Sequence, residues 1–448
     1  MYEKQTAKSI SILNRREFLK SSAVAVSTAL SWPTIVPSSV FGSNPPSERI
    51  VLGFIGMGGR GGALLRNFMS LADAQVVAVC DVKQPNRDRA LRDVDKHYGK
   101  LVVSLSNPKV CTAYNDFREL CACDDIDVVV VASTDHWHVL HALEAVRAGK
   151  DVYCEKPLGM SVEQGQVLRQ EVNRYSRVFQ FGTQERSGRN SRFACELVLN
   201  GRIGKVHKIT VASRYSVASE DYPPMPIPDW LDYDLWLGPA PWAHYTANRV
   251  SNSHWFHISD YALGFIAGCG IHTIDIATWG NGTDLTGPVE VEGTGEFPRD
   301  GLCNCATGWD VNLKFTNGVL MNFTDGKANP LGVRFEGTDG WVFVKEEHLG
   351  GTVDAHPKEL LSEKIRPDEL RLRPSRYHHR NFLDCVKTRS KTVAPIEVAV
   401  RSDTLCQLSD IAMRLRRKLR WDPGKEEFVN DEQANRMLRR PMRSPWHL

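Results

Sequence analysis

The chain has 448 residues, of which 24% are charged and 42% are hydrophobic. This is typical of a globular protein that is long enough for two domains with full cores. The 56 Lys and Arg residues nearly balance the 53 Asp and Glu residues, and the net charge of +3 is too small to indicate a nucleic-acid-binding protein. After residue 45 the apolar runs have only the length of strands, so we predict no membrane span in the mature chain.

The first 43 residues have the pattern of an export signal. Twin arginines, Arg15 and Arg16, are followed by Phe-Leu-Lys and by a small, apolar stretch that runs to about Pro37. This arrangement resembles a Tat signal, and the alternative is an ordinary amphipathic or disordered tail. We therefore exclude residues 1–43 from the fold, and we expect a mature protein in the periplasm or the cell envelope.

From residue 49 to about residue 183, short apolar strands alternate with helices. The near-continuous valine run at 127–133 is typical of a parallel strand that is buried on both faces. Repeated strand–helix–strand units predict an α/β domain with a doubly wound parallel sheet over residues 44–185. We predict strands at 50–56, 74–81, 127–133, 151–154 and 178–182, and helices at 61–71 and 137–148.

The first strand leads into a glycine-rich turn of the form G-x-G-x-x-G, which opens the first helix. Glycines allow a tight turn and a close approach to a pyrophosphate, which the helix N-terminus can bind. Asp81 ends the second strand, where its carboxylate can hydrogen-bond ribose hydroxyls and would repel a 2′-phosphate. The pattern predicts a Rossmann domain that binds NAD, with NADP less favoured; the alternative is a glycine-rich turn without a nucleotide. The predicted cofactor-binding residues here are Gly56, Met57, Gly58, Gly59, Arg60, Gly61 and Asp81.

The pattern changes after the first domain. Residues 216–257 form a long loop rich in Pro, Trp, Tyr and His, and loops of this length are usually functional or disordered. Alternation and turn signals over 289–344 indicate antiparallel strands. We assign residues 186–418 to an α+β domain and residues 419–448 to a C-terminal tail. Helices predicted near 377–417 are candidates to pack back on the first domain.

The cysteines and histidines do not have the spacing of a metal site. The Cys121-Ala-Cys123 and Cys303-Asn-Cys305 pairs lack zinc-site spacing, and His254-x-x-His257 has no suitable third ligand nearby. We therefore predict no bound metal and thiols that pack mostly as small hydrophobes. A disulfide that involves Cys303 or Cys305 stays open at this point.

Two motifs near the end of the first domain resemble those of a known family. Ser133-Thr134-Asp135-His136-Trp137-His138 opens a helix, and the strand after that helix ends in Glu155-Lys156-Pro157. This pattern resembles the Gfo/Idh/MocA oxidoreductases, whose Rossmann domain ends with the same Glu-Lys-Pro. The likeness extends over nearly the whole mature chain, through Trp236-Leu237-Gly238-Pro239, Gly270-Ile271-His272-Thr273-Ile274-Asp275 and the segment from His378 to Asp384.

The resemblance implies a second domain with an open, mostly antiparallel sheet whose face covers the nicotinamide. It also implies that Lys156 lies beside the nicotinamide and a sugar hydroxyl, where a partly desolvated ammonium loses its proton more readily. By the same resemblance, His272 is an acid/base or a hydroxyl partner, and Asp275, one helical turn later, is a catalytic, substrate-binding or orienting group. The alternatives are a Lys156 that caps a strand end beside Glu155, and a His272 buried in the core.

The sequence departs from the family pattern at Gly268. Many relatives have an aspartate at this place, four residues before the histidine, as part of the proton-transfer set. Three explanations stay open. Lys156 and His272 suffice, or a loop carboxylate such as Asp260 moves in, or the reaction is not a simple alcohol oxidation.

Other polar and aromatic side chains are candidates for contacts with the cofactor or the substrate. Four tryptophans in the long loop, Trp230, Trp236, Trp242 and Trp255, offer faces for stacking on a sugar. The other candidate cofactor contacts are Asp135, His138, Glu155 and Lys156, and the candidate substrate contacts are Gln184, Arg186, Trp236, His272, Asp275 and His378.

Together these features predict an NAD-dependent oxidoreductase that transfers hydride at a hydroxyl-bearing carbon of a sugar, polyol or glycoside. An exported enzyme meets no ready pool of free NAD, so we expect a tightly bound cofactor that is recycled within each turnover. One alternative is a redox-neutral glycoside hydrolase that oxidises, eliminates, adds water and reduces. A second alternative is a non-catalytic sugar-binding relic. We expect a small carbohydrate as the partner, and a homo-oligomer that is a dimer or a tetramer.

Overall fold

The computed structural model describes residues 48–99, 111–346 and 351–448. The predicted signal segment, 1–43, lies outside these ranges. Short apolar strands form a six-stranded parallel sheet in the order β3-β2-β1-β4-β5-β6. The valines of β4 alternate between two hydrophobic clusters, one on each face, which explains the unbroken apolar run. The strands are β1 (Ile50–Ile55), β2 (Ala74–Cys80), β3 (Thr112–Tyr114), β4 (Val128–Val131), β5 (Asp151–Cys154) and β6 (Phe179–Phe181).

Helices connect these strands, so the doubly wound parallel sheet expected from the sequence is confirmed. The helices differ in how their first N–H groups are satisfied. The Ser161 hydroxyl accepts from Gln164 N at the start of α5, whereas α1 begins at Gly59 with no side-chain cap. The helices are α1 (Gly59–Met69), α2 (Gln84–Tyr98), α3 (Phe117–Cys121), α4 (Asp135–Arg147) and α5 (Val162–Arg174).

The second domain is built on a nine-stranded sheet in the order β13-β12-β11-β7-β10-β9-β8-β14-β15. β10 pairs with β7 in parallel, and the other neighbours pair in antiparallel fashion, so the open, mostly antiparallel sheet is confirmed. The strands are β7 (Val206–Ser213), β8 (Glu290–Glu296), β9 (Gly308–Lys314), β10 (Leu320–Asp325), β11 (Gly332–Gly337), β12 (Trp341–Lys345), β13 (Val353–His356), β14 (Leu419–Asp422) and β15 (Glu427–Phe428).

Helices of the second domain pack against this sheet and against the first domain. Every residue of α9 is buried, because the helix lies among β7, β11, α6 and α11. α10 packs back on the first domain, where Arg380 forms an ion pair with Asp73 at 2.6 Å. The helices are α6 (Arg189–Leu199), α7 (Tyr233–Leu237), α8 (Phe265–Gly268), α9 (Gly270–Gly280), α10 (His378–Thr388), α11 (Ile396–Leu415) and α12 (Glu432–Arg436).

The C-terminal segment, which the sequence analysis assigns to a tail over residues 419–448, begins with two strands of the second sheet. β14 pairs with β8 through Leu419 and Arg420, so the chain completes the second sheet before it leaves it. This pairing has a simple cause, since Leu419 and Trp421 alternate with polar residues and bury their side chains on one face of the sheet. Farther on, Arg443 Nε donates to Gly238 O at 2.9 Å, which ties the segment to the loop before α8.

Two further expectations concern the membrane and the cysteines. No helix in the described part of the chain is both long and apolar enough to span a bilayer. Cys303 and Cys305 carry free thiols. Their sulfur atoms lie 3.8 Å from His254 O and 3.4 Å from Ala262 O, so each contacts a backbone carbonyl.

Candidate active site

A cavity of about 440 Å³ lies at the carboxyl ends of β1, β2, β4 and β5, where ligands bind in doubly wound sheets. Both domains line it. The first domain supplies the glycine-rich turn and the residues that follow β2, β4 and β5. The second domain supplies His272 and part of the long loop at 216–257.

The glycine-rich turn shapes one end of the cavity. Gly56 has a φ of +88°, and a Cβ on it would lie 2.5 Å from Ser133 N. A Cβ on Gly61 would lie 1.8 Å from Gly56 O, so this residue permits the close approach of helix and strand. Ideal Cβ atoms on Gly58 and Gly59 would meet no heavy atom of the described chain within 4 Å. With the uncapped start of α1, this open backbone fits the pyrophosphate of a dinucleotide.

Two residues of this turn stand behind the cavity wall. Met57 is buried in the core, and its N–H donates to Asp81 Oδ2 at 2.7 Å. Gly61 serves the contact between α1 and β1. Neither residue is among those that line the cavity. Both residues shape the turn from the side of the protein core, and their contact with the cofactor stays a prediction.

Asp81 lines the cavity just after β2, as the sequence predicts. Met57 N, Lys83 N and Asn86 Nδ2 donate to its carboxylate at 2.7, 2.8 and 3.0 Å. Burial raises the pKa of Asp81, and these hydrogen bonds oppose that rise. The carboxylate is thus held in one orientation with lone pairs to spare, which fits the ribose hydroxyls of NAD and disfavours a 2′-phosphate.

The long loop at 216–257 lies across the same end of the cavity. Gln84 N donates to Trp230 O at 2.9 Å, and Lys83 Nζ donates to Val250 O at 2.6 Å. These bonds fasten the loop to the first domain. Of the four loop tryptophans, Trp236 and Trp255 line the cavity, whereas Trp230 and Trp242 are 40% and 61% exposed. The loop residues that line the cavity, with two from the short helix within it, are Leu235, Trp236, Val250, Asn252, Trp255 and Phe256.

Sequence reasoning missed an aromatic wall of the cavity formed by the first domain. Phe117, Trp137 and His141 line it, and the rings of Trp137 and His141 stack with centroids 4.6 Å apart. Trp446 of the C-terminal segment packs against Trp137 from behind, at 4.7 Å between centroids. The spacing of Trp137 and His141 on one helical face was the available signal, but Phe117 and Trp446 come from distant segments. Lys83, Asn86 and Asn115 were also missed as lining residues.

Glu155 is buried on the cavity wall and has partners of its own. Arg60 Nε donates to Glu155 Oε1 at 2.8 Å, and Gln184 Nε2 donates to the same oxygen at 3.0 Å. Arg60 and Gln184 also line the cavity. Glu155 is therefore paired with Arg60, and the alternative in which it serves as the surface partner of Lys156 does not hold.

Lys156 and His272 both line the cavity, although they belong to different domains. Lys156 Nζ donates to Gly268 O at 2.5 Å, so a backbone carbonyl stands at the position where the aspartate is absent. His272 lies in the first turn of α9, two residues after its start. Asp260 is exposed and is not among the lining residues, so the loop carboxylate suggested above does not move in.

Asp135 and His138 lie in the first turn of α4 and line the cavity beside Lys156. The His138 ring nitrogens lie 2.7 Å from Pro157 O and 3.1 Å from Ser133 O. Burial lowers the pKa of His138. This ring fastens the segment that carries Lys156, so His138 is a positioning residue as well as part of the wall.

Asp275 and Arg186 form a buried ion pair away from the cavity. Asp275 is 0% exposed, and Arg186 Nε and Nη2 donate to its two oxygens at 2.8 and 2.9 Å. Thr183 Oγ1 and Ser402 Oγ also donate to this carboxylate. The expectation that Asp275 and Arg186 touch substrate is corrected. Because α9 is buried on all sides, a residue one turn after His272 faces the protein interior.

His378 is the third correction among the predicted substrate contacts. Its Nε2 lies 2.8 Å from Phe181 O, and its Nδ1 lies 2.8 Å from Ser187 Oγ. Burial lowers the pKa of His378 to about 4. The ring therefore holds α10 to the end of β6 and does not reach the cavity.

Profiles of one family match both domains. The profile described as "Oxidoreductase family, NAD-binding Rossmann fold" matches residues 50–183, and the one described as "Oxidoreductase family, C-terminal alpha/beta domain" matches residues 196–448. The chain belongs to the Gfo/Idh/MocA oxidoreductase family. The resemblance drawn from the sequence motifs is confirmed, and the first domain is an NAD-binding Rossmann domain.

Individual relatives of this Gfo/Idh/MocA protein match over shorter stretches. The alpha-N-acetylgalactosaminidase of Shewanella oneidensis is 34% identical over 169 residues, which are 34% of this chain and 35% of that protein. A glycosyl hydrolase family 109 protein of Shewanella sp. strain ANA-3 is 30% identical over 211 residues, or 43% and 44% of the two chains. The chain thus spans less than half the length of these curated relatives.

Solved structures share the fold over more of the chain. The aldose-aldose oxidoreductase from Caulobacter crescentus superposes with a TM-score of 0.58 at 16% identity, over 83% of this chain and 99% of the other. This likeness shows that the two-domain fold is shared.

Proposed function

We propose that this protein transfers hydride between bound NAD and a hydroxyl-bearing carbon of a sugar, polyol or glycoside. The observation that carries the proposal is the convergence of Lys156 and His272, from two domains, on the cavity that holds the glycine-rich turn. NAD supplies the hydride acceptor and donor at its nicotinamide ring. The Lys156 amine can take the hydroxyl proton as hydride leaves the carbon, and the His272 ring can hydrogen-bond the same oxygen.

The same proposal includes a cofactor that stays bound and is recycled within each turnover. The long loop supports this part, because Gln84 N, Lys83 Nζ and Asp232 N all make bonds that join it to the first domain over the cavity. A ligand held under such a cover leaves slowly, since the loop must detach first. Denaturing the purified protein and quantifying the released nucleotide measures this, with close to one NAD per chain as the expected result.

Hydride transfer is tested with the protein as purified. Aldoses, inositols and glycosides are mixed with it one at a time, and nicotinamide absorbance is followed near 340 nm. We expect reduction of the bound cofactor in one turnover and reoxidation by a second, oxidised sugar. A bound cofactor that none of these compounds reduces would support the non-catalytic relic instead, although that role gives no reason for both Lys156 and His272 to line the cavity.

A redox-neutral glycoside hydrolase is the second candidate. It is favoured by one observation, the match to curated relatives named as glycosyl hydrolase family 109 proteins and as an alpha-N-acetylgalactosaminidase. Such an enzyme releases para-nitrophenol from para-nitrophenyl α-N-acetylgalactosaminide without added NAD and without a net change in nicotinamide absorbance. Release of oxidised sugar with no para-nitrophenol would favour the oxidoreductase.

Export by the Tat route, to the periplasm or the cell envelope, is also part of the proposal. It is supported by the twin arginines and the apolar stretch in residues 1–43. Fusing this segment to a folded reporter tests it. We expect export that stops when Arg15 and Arg16 are both replaced by lysine, and continued export in that variant would contradict the Tat assignment.

We further propose a homo-oligomer, a dimer or a tetramer. The support is the open face of the nine-stranded sheet, where Trp341 and Phe343 are only partly buried on adjacent outward positions of β12. Light scattering after size-exclusion chromatography gives the mass directly. A charge placed on this face by Phe343→Glu is expected to shift the protein toward the monomer.

A further inference from the structure

The last residues of the chain run from the second domain to the outer side of the cavity wall. Residues 440–446, which we call the C-terminal strap, follow α12 and contain neither helix nor strand. Arg440 Nη1 donates to Ser259 O at 2.7 Å and holds the beginning of the strap. Trp446 N donates to Arg443 O at 3.0 Å, so the strap ends in a turn. These bonds give the strap a fixed course at both of its ends.

Arg443 binds α7, the short helix within the long loop at 216–257. Its Nε donates to Gly238 O at 2.9 Å, and its Nη1 and Nη2 donate to Asp234 Oδ1 at 2.5 Å and to Asp234 O at 2.8 Å. Its backbone N–H donates to Pro239 O at 2.9 Å. Carbonyl groups at the C-terminal end of a helix carry partial negative charge, so a guanidinium there is stabilising. Because a helix of five residues has little stability of its own, Arg443 fixes the position of α7.

Trp446 supports the aromatic wall from outside the cavity. Its ring meets the Trp137 ring edge to face, with centroids 4.7 Å apart, and its centroid lies 6.1 Å from that of Phe117. Trp137 and Phe117 line the cavity, whereas Trp446 does not. The guanidinium carbon of Arg118 lies 5.4 Å from the centroid of the Trp446 ring. Trp446 therefore fills the space behind two side chains of the wall, and its removal would leave a void there.

The two contacts of the strap meet at Trp137. Trp137 Nε1 donates to Leu235 O at 3.0 Å, and a Cβ on Gly238 would lie 2.1 Å from Trp137 Cζ2, so α7 packs directly on this ring. Two residues of α7 line the cavity. Arg443 thus holds α7 itself, while Trp446 holds the ring on which α7 packs. One strap therefore secures a wall from the first domain and a helix from the second domain on the same cavity.

We propose that Arg443 and Trp446 are positioning residues that retain NAD in the cavity, because they hold α7 against the aromatic wall. Release of the cofactor requires that this cover separate from the first domain. The two side chains oppose the separation, although neither of them lines the cavity. The inference rests on the proposed function, since it explains how a cofactor that is recycled in each turnover stays bound. It predicts that changes in the strap alter cofactor release and leave hydride transfer by loaded molecules unchanged.

A chase experiment measures retention directly. Each protein is saturated with NAD and mixed with a large excess of deuterium-labelled NAD, and the bound nucleotide is analysed by mass spectrometry over time. We expect Arg443→Ala and Trp446→Ala to release NAD at least about tenfold faster than the wild type, because each change removes contacts that hold the cover. Trp446→Phe keeps an aromatic ring against Trp137 and should restore a rate close to that of the wild type. Single-turnover hydride transfer in NAD-loaded molecules should be equal in all of these proteins.

Arg439→Ala is the matched control, because Arg439 directly precedes the strap and its side chain is 74% exposed. It contacts Glu163 on α5 at 3.2 Å, away from α7, so this variant should release NAD at the wild-type rate. Equal release by the wild type, Arg443→Ala and Trp446→Ala would overturn the inference. Release from Arg439→Ala as fast as from Arg443→Ala would also overturn it, since general loosening of the C-terminal segment would then be the cause.

Two further outcomes separate the inference from the proposed function. If Arg443→Ala yields no folded protein, the comparison of Trp446→Ala with Trp446→Phe decides, and equal release by these two variants and the wild type would overturn the inference. A wild-type protein that releases NAD faster than it completes a turnover would overturn the recycled cofactor. The ratio between variant and wild-type release rates would still test the strap in that case, because every protein is loaded with added NAD.

Discussion

The two ends of the cavity are built in different ways. At the NAD end, the glycine-rich turn and Asp81 line the cavity, and both lie within residues 56–81. Lys156 and His272 also line the cavity, and they come from segments that are more than 100 residues apart in the chain. The first end depends on local conformation, whereas the second depends on the packing of α9 between two domains.

This difference shows which motifs predict the role of a residue and which do not. A turn that needs glycine has a geometry set by its own residues, so the roles of these residues can be predicted from the local sequence. The roles of a histidine and an aspartate one helical turn apart cannot be predicted until the surroundings of the helix are known. His272 lines the cavity, and Asp275 is fully buried against Arg186.

The largest expected effect separates chemistry from cofactor binding. Lys156→Ala should lower the rate of hydride transfer by between about 100-fold and 10,000-fold, because it removes the amine that takes the hydroxyl proton. Bound NAD should be unchanged. Lys83→Ala is the matched change at the NAD end, where Lys83 Nζ holds Val250 O. It should release NAD while NAD-loaded molecules keep their rate. Single-turnover absorbance measures the rate of hydride transfer, and nucleotide content measures bound NAD. Equal changes in both quantities in the two variants would contradict the distinction between the two ends of the cavity.

Asp275→Asn should lower the free energy of unfolding by about 3 to 5 kcal/mol, because it removes the fully buried carboxylate that pairs with Arg186 through two hydrogen bonds. Asp284→Asn is the control, since Asp284 pairs with the same arginine at 3.1 Å but is partly solvated. Asp284→Asn should lower the free energy of unfolding by less than about 1 kcal/mol. Urea denaturation measures both. A folded Asp275→Asn protein that loses hydride transfer at full stability would return Asp275 to the catalytic set.

Two glycines of the turn should respond differently to alanine. Gly56→Ala places a Cβ against Ser133 N at a φ of +88°, and should cost about 1 to 3 kcal/mol of stability. Gly58→Ala meets open space at a φ of −66° and should change stability by less than about 0.5 kcal/mol. Its methyl group instead enters the cavity and should lower the NAD content. Thermal melts and nucleotide analysis distinguish the two variants. Equal melting temperatures for Gly56→Ala and Gly58→Ala would show that position 56 does not require glycine.

The smallest effect at neutral pH is expected at His378, because its contribution to folding stability changes only as the pH falls. Burial lowers its pKa to about 4, from an ordinary value of about 6.5 in the unfolded chain. The unfolded state therefore takes up the proton first as pH falls, and stability that is present above about pH 6.5 is lost toward pH 4. His378→Gln should flatten this dependence in denaturation curves. An equally steep loss in the variant would place its origin in other groups, such as His136, whose pKa burial also lowers to about 4.

Much of the architecture could be predicted because its signals are local. The valines of β4, the turn at Gly56 and the carboxylate of Asp81 each carry their reason within a few residues. Sequence reasoning did not find the wall formed by Phe117, since a ring on a short helix gives no sign of facing a ligand. It also assigned residues 419–422 to a tail, because a four-residue strand cannot be distinguished from a loop until its partner β8 is known.

The sequence by itself determined the Rossmann domain, the NAD site and the identity of the groups that can move a proton, because backbone conformation and side-chain chemistry are properties of short segments. Only the tertiary structure decided which of those groups face the cavity. It placed Asp275, Arg186 and His378 inside the protein, paired Glu155 with Arg60, and set Gly268 O against Lys156. The physical reason is that the burial of a side chain depends on the elements that pack around it. α9 is enclosed by α6 and β7, which precede it in the sequence, and by β11 and α11, which follow it.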